Sequence, residues 1–138
     1  MIELIDVKKS DWNLILELRN SFFENFYEQK KPLEINEHFD YLEKQSENPN
    51  FYHWIIQFDG KKVGYARILD NDVGIMIKKN FQNKGIASNS LKLVEEKAKL
   101  LGISKLKALV KFENYSSKKI FEKNNFKLKI YWYEKEII

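Results

Sequence analysis

The chain contains no cysteine, which excludes a disulfide framework, a thiolate metal site and a cysteine nucleophile. Only His38 and His53 remain for imidazole chemistry, so no structural metal centre is expected. Glycine and proline are scarce, five and two in 138 residues, and collagen-like, low-complexity and disordered readings fail on that composition. No apolar run approaches the roughly 18 residues of a membrane helix. Met1 to Asp6 has neither a basic n-region nor an apolar h-region. A soluble, cytoplasmic protein without a membrane partner is therefore the expectation. What the chain does have is 43% hydrophobic and 32% charged residues, which at this length suits one compact domain over residues 1–138. The net charge of +4 suits an anionic partner. The lysines are nevertheless scattered among glutamates, with no basic stripe and no aromatic RNA-binding motif, which argues against nucleic acid.

Periodicity supplies the element order. Ile2 to Val7 is β-prone, and Ser10 can cap a helix carrying Leu14, Leu18 and Phe22 at every fourth position. Asn36 is a candidate cap for a second helix, with Phe39 and Leu42 on one side and His38, Tyr41 and Gln45 near the other. Tyr52 to Phe58 and Lys62 to Leu69 are β-branched and aromatic runs joined by Asp59-Gly60, a strong hairpin signal. The turn Asp70-Asn71-Asp72 leads into a third strand, Val73 to Ile77. Ala87, Leu91, Val94, Ala98 and Leu101 then line one helix face, and Gly102 stands where a left-handed residue ends a helix. Leu106 to Phe112 is predicted as a strand parallel to the one before that helix. Asn114 caps a last helix ending at Asn124-Asn125, and Phe126 to Tyr133 is predicted as the final strand. The predicted order is β α α β β β α β α β, an α/β fold with a mixed sheet.

Ile75 to Ser88 runs from strand through a polar, glycine-containing loop into a helix, and such a junction is an anion site. The loop and first helical turn carry backbone N–H groups with no partner in the chain, and the helix dipole adds roughly half a positive charge there. Gly85 admits close backbone approach, Ala87 keeps the helix entrance small, and Lys78, Lys79 and Lys84 bring full charges.

Gln82-x-x-Gly85-x-Ala87, followed by Asn114-x-x-Ser117-x-x-x-Phe121-x-x-x-Asn125-Phe126, resembles the acyl-coenzyme A signature of the GNAT N-acetyltransferase superfamily. The element order is similar over essentially the whole chain. That resemblance implies a GNAT-like fold in which a strand parts from its parallel neighbour and the pantetheine arm of acetyl-CoA lies in the gap. It further implies that Ile75, Met76 and Ile77 meet the pantetheine and acetyl group, that Gln82, Asn83, Lys84, Gly85, Ile86, Ala87 and Ser88 hold the pyrophosphate, and that Asn114, Ser117 and Phe121 contact the cofactor arm. The expected activity is direct acetyl transfer from acetyl-CoA to a primary amine, with no metal, by a monomer or homodimer.

Phe121 stands where many family members carry a tyrosine that protonates the leaving thiolate, and phenylalanine has no proton to give. Ser117, Tyr115 or water are the alternatives, and a thiol with a pKa of about 8.5 needs little help. Asp70 and Asp72 at the turn and His38 on the second helix are the candidate bases, with the aspartates also explained as turn formers and His53 as a structural residue. Deprotonating an amine of pKa about 10.4 at pH 7 costs roughly 4.6 kcal/mol, against about 1.4 kcal/mol for one near 8, so a chain without an obvious strong base suits an amino sugar or a peptide N-terminus. Leu16-Glu17-Leu18-Arg19-Asn20, Lys30-Lys31-Pro32-Leu33 and Glu37-His38-Phe39-x-Tyr41-Leu42 are similar to the branch of pseudaminic acid biosynthesis N-acetyltransferases, which implies a nucleotide-linked amino sugar as acceptor. Arg19, Asn20 and His38 would bind it, with the aromatic run Phe22, Phe23, Phe26 and Tyr27 able to stack a nucleobase. An Arg-Asn pair also occurs in acetyltransferases of ribosomal protein N-termini, which keeps a peptide amine as the alternative. A GNAT fold retained only to bind acyl-CoA is a further one.

Overall fold

The computed structural model describes residues 1–25 and 29–138. Strand β1 (Ile2–Asp6) is followed by helix α1 (Trp12–Ser21) and helix α2 (Ile35–Gln45). Three strands come next, β2 (Phe51–Phe58), β3 (Lys61–Leu69) and β4 (Asp72–Ile77), then helices α3 (Ile86–Leu100) and α4 (Tyr115–Lys123). The sheet has the order β1-β2-β3-β4, every neighbouring pair antiparallel. Both hairpin turns form as their residues demand: Asp59 and Gly60 take φ of 48° and 81°, and Asp70 and Asn71 take 49° and 70°, the paired positive values of a type I′ turn. No helix among the described residues is long and apolar enough to cross a membrane.

Strand alternation gives the sheet two buried faces. Trp54, Ile56, Ala66, Ile68, Val73 and Ile77 pack with Leu91, Val94 and Ala98 of α3. Ile55, Tyr65 and Met76 pack on the opposite face with Ile15 and Leu18 of α1 and Leu42 of α2. The helices differ from their predicted starts by a few residues. A short 3-10 turn over Lys9–Asp11 precedes α1, where Asp11 stands at the N-cap and makes a 2.6 Å ion pair with Lys62 of β3. Glu34, not Asn36, is the N-cap of α2. On α2 it is His38 that shares the buried face with Leu42, because the four-residue spacing aligns them while Phe39 turns partly outward. Gly102 has the predicted left-handed φ of 78°, but Leu101 beside it is exposed.

Two predicted strands are corrected. Leu106 to Phe112 meets β4 in the parallel sense, as one rung: Val73 N–H donates to the Lys107 carbonyl at 2.9 Å and Lys107 N–H to that of Asn71 at 2.9 Å. Beyond Lys107 the two segments part around a cavity lined by Ile75 to Ile77 on one side and by Leu109 and Val110 on the other, so the cavity stands where a ladder would have been. Phe126 to Tyr133 is not a strand either. Leu128, Ile130 and Trp132 are more than 60% exposed, and β propensity forms no ladder there among the described residues.

Candidate active site

The gap beside β4 opens into a cavity of about 540 Å³. Val73 N–H points across to Lys107, and a strand's backbone groups alternate sides, so the N–H and C=O of Ile75 also face the gap. The Ile77 carbonyl does the same and accepts a 3.0 Å hydrogen bond from Gln82 Nε2, which ties the loop to the strand end. Gly85 is the N-cap of α3 with φ of 77°, a conformation that L side chains rarely adopt. A Cβ there would meet only Asn89 Nδ2 at 3.8 Å, so the requirement is the turn itself and not crowding. Gly85 has no side chain with which to cap α3, and no side-chain cap is found there among the described residues. The N–H groups of Ile86, Ala87 and Ser88 are therefore left to an external acceptor.

Helix α4 forms the facing wall. Asn114 Oδ1 accepts from Ser117 N–H at 3.2 Å, the predicted cap. At the other end Asn125 is left-handed at 67°, with Asn125 N–H donating to the Glu122 carbonyl and Phe126 N–H to that of Phe121, both at 3.0 Å, a complete Schellman motif. The Phe121 and Phe126 rings meet edge to face at 5.1 Å across it. Asn124 Nδ2 donates to the Ser88 hydroxyl at 3.0 Å and joins the two helices at their buried contact. The cavity thus brings together Ile75, Met76, Ile77, Gln82, Asn83, Gly85, Ile86, Ala87, Ser88, Asn114, Ser117 and Phe121. Lys84 is not on its wall; its Nζ lies 5.6 Å from the Phe81 ring centre. Lys119 and Lys123 of α4 are on the wall, and their spacing to Ser116 on one helix face was the available signal.

A smaller cavity of about 130 Å³ lies on the other face of the sheet, lined among others by Arg19, Gln29, Tyr41, Tyr65, Arg67, Gly74 and Met76. Arg67, Gly74 and Met76 line both cavities, so the two meet at β4. Arg67 was missed in the sequence, although its two-residue spacing from Tyr65 puts both on one face of β3. Its guanidinium donates to the Asp72 carbonyl at 3.1 Å and lies 3.4 Å from the Asp72 carboxylate. Arg19 lies 4.7 Å from the Tyr41 ring centre. His38 is wholly buried behind it: Nε2–H donates to the Trp12 carbonyl at 2.7 Å, leaving Nδ1 to accept from Arg19 at 3.3 Å. Burial, with the Arg19 charge adding to it, outweighs the Trp12 carbonyl and pushes the imidazole below its ordinary pKa. Asn20 spends its amide on Leu33, donating to the carbonyl at 2.9 Å and accepting from the N–H at 2.7 Å. Phe22 and Asn25 line the larger cavity, Tyr115 is 61% exposed and lines neither, and Phe26 and Tyr27 lie outside the described residues.

Residues 12–126 match the sequence model of the acetyltransferase (GNAT) family. The chain belongs to this family. Among solved structures, this GNAT chain is similar to a domain from Methanocaldococcus jannaschii, with 28% identity, 92% of this chain and 88% of that one covered, and a TM-score of 0.81. An N-acetyltransferase from Staphylococcus aureus shares 26% identity over 92% of this chain and 84% of its own, at a TM-score of 0.77. An aminoglycoside N-acetyltransferase solved with CoA shares the fold at a TM-score of 0.74, with 16% identity and coverage of 98% and 95%. Membership makes this chain an acetyltransferase of the GNAT type, a class whose acyl donor is acetyl-CoA. Its larger cavity fits that donor: orphaned N–H groups and Lys119 and Lys123 suit a polyphosphate, and the open edge of β4 suits an extended chain of amides.

Proposed function

We propose that the chain works as a single acetyltransferase domain that acetylates the primary amine of a nucleotide-linked amino sugar in a ternary complex. The observation that carries this reading is the meeting of the two cavities at Gly74 and Met76, with the guanidiniums of Arg19 and Arg67 and the rings of Tyr41 and Tyr65 around the smaller one. Bound acetyl-CoA would supply an acyl group activated as a thioester. The N–H groups of Ile86 to Ser88 would hold its pyrophosphate, assisted by the turn Gln82 to Gly85, and Asn114 its arm. The Ile75 N–H, facing the gap, would meet the acetyl carbonyl oxygen and stabilise the negative charge that grows on it during attack. From the other side the smaller cavity would take the amine-bearing ring, with the arginines meeting its oxygens and any diphosphate beyond.

Proton transfer follows from the same geometry. His38 has both ring nitrogens engaged inside the protein, so its part is to orient Arg19. Asp72 holds Arg67 in the same way. An acceptor amine of low pKa would reach the site unprotonated in sufficient amount; the proton it sheds as the amide forms would pass to solvent water, and the leaving thiolate would take one from the Ser117 hydroxyl, on the cavity wall one turn before Phe121, which water then reprotonates.

The test is a panel of acceptors. UDP-linked 4-amino sugars, free amino sugars, lysine and peptide N-termini are compared by kcat/KM, and the UDP-amino sugars should lead by tenfold or more. Efficient acetylation of peptides with no reaction of UDP-amino sugars would replace this acceptor by the peptide amine. On the preferred substrate His38→Ala should lower kcat/KM without moving its pH profile, since a positioning residue contributes no ionisation to it.

A further inference from the structure

One polar atom at the smaller cavity has no hydrogen-bond partner among the described residues. The Leu33 backbone, by giving one N–H and one carbonyl to the Asn20 side chain, determines which end of that amide is oxygen and which is nitrogen. Gln29 Nε2 then faces two acceptors, Asn20 Oδ1 at 3.3 Å and the Lys31 carbonyl at 3.1 Å, so the Gln29 amide has only one sensible orientation. What remains is Oε1. Gln29 is 8% exposed, and its Oε1 has no hydrogen-bond partner among the described residues. A buried carbonyl oxygen without a donor is expensive and uncommon, and this one belongs to a residue on the cavity wall.

We infer that Gln29 is a specificity-determining residue whose Oε1 accepts a hydrogen bond from a ring hydroxyl of the acceptor. Gln29 lines only the smaller cavity, whereas the reacting amine must reach the junction at Arg67, Gly74 and Met76, so the donor that Gln29 meets is a second group on the same molecule. A hydroxyl suits that place better than an amide N–H. It donates to Oε1 and, through its lone pairs, accepts from a guanidinium, and Arg19 and Arg67 line the same cavity. The site would therefore reject a ring amine that lacks the neighbouring hydroxyl, because Oε1 would then stay buried and unpaired. This inference rests on the smaller cavity being the acceptor site, not on the nucleotide.

Two probes test it, trans-2-aminocyclohexanol and cyclohexylamine, with turnover on acetyl-CoA and binding in the presence of CoA measured for each. Wild type should prefer the amino alcohol by about tenfold. Gln29→Met keeps the length of the side chain and removes the acceptor, and should lower the preference about tenfold relative to wild type. Gln29→Glu loses the donors to Asn20 and Lys31 but keeps oxygen toward the cavity, and should retain the preference. Comparing variants cancels the different basicity of the two amines, and melting temperatures show whether each variant folds. If Gln29 only clips its loop, Met and Glu will lower the melting temperature alike and leave the preference untouched, which overturns the inference. A wild type that binds neither probe, or both equally, overturns it too. Should UDP-amino sugars fail as substrates while the preference moves as stated, the nucleotide reading falls and Gln29 stands; the opposite pair of results reverses that.

Discussion

Arg67 owes its position to what the neighbouring strand lacks. It lies opposite Gly74 in the β3–β4 register, and a Cβ on Gly74 would stand 3.3 Å from the guanidinium carbon. Without that side chain the guanidinium can lie across β4 to Asp72 and face both cavities. On the same face Tyr65 is buried and its hydroxyl shares a 2.8 Å hydrogen bond with His53 Nδ1, with burial pushing the phenol pKa up and the imidazole down to about 4. The sign of the pH dependence follows. Unfolded, His53 titrates near its usual value of about 6.5, so on acidification the unfolded chain takes up a proton before the native one does. The stabilisation is complete above about pH 6.5 and is lost as the pH falls toward 4. Thermal melting of wild type should decline over that interval, and His53→Gln, which preserves an acceptor for Tyr65, should flatten the decline. An unchanged slope in the variant would show that another group carries it.

At the scale of elements, α4 has both ends specified by single residues, Asn114 at the start and Asn125 at the end. Asn114→Ala should cost about 1 kcal/mol, or roughly 3–5 °C in melting temperature. It should also reduce the further rise in melting temperature that saturating CoA produces. An identical loss with and without CoA would leave Asn114 as a cap alone. These ends were legible because capping and left-handed turns are local chemistry, as were Asp59-Gly60, Asp70-Asn71 and the buried face of α3. The strands after α3 were not. Val110 and Ile130 have the propensity for strands, but a ladder depends on a distant partner staying within hydrogen-bond reach; that β4 and its neighbour part after Lys107 was legible through the family resemblance and not from local pattern. His38 was legible as a residue of the second helix, yet its burial behind Arg19 depends on how α1 and α2 pack.

Across the whole molecule, the sheet separates two cavities and β4 joins them. On one face the gap beside β4 and the uncapped start of α3 form the larger cavity; on the other α1 and α2 close the smaller one, and Gly74 and Met76 belong to both. An amine and a thioester brought in from opposite faces would meet at that strand, which turns a bimolecular encounter into a reaction between held groups. On this reading CoA occupies the larger cavity with its phosphates on the N–H groups of α3. A titration of the nitrogen-15-labelled protein with CoA, followed by amide chemical shifts, tests it directly. The saturable shifts should be largest at Gly85 to Ser88 and at Ile75, with Arg19 and Leu42 little affected. CoA binding that leaves the Gly85 to Ser88 amides unmoved, or that shifts the α1 and α2 amides instead, would contradict the account.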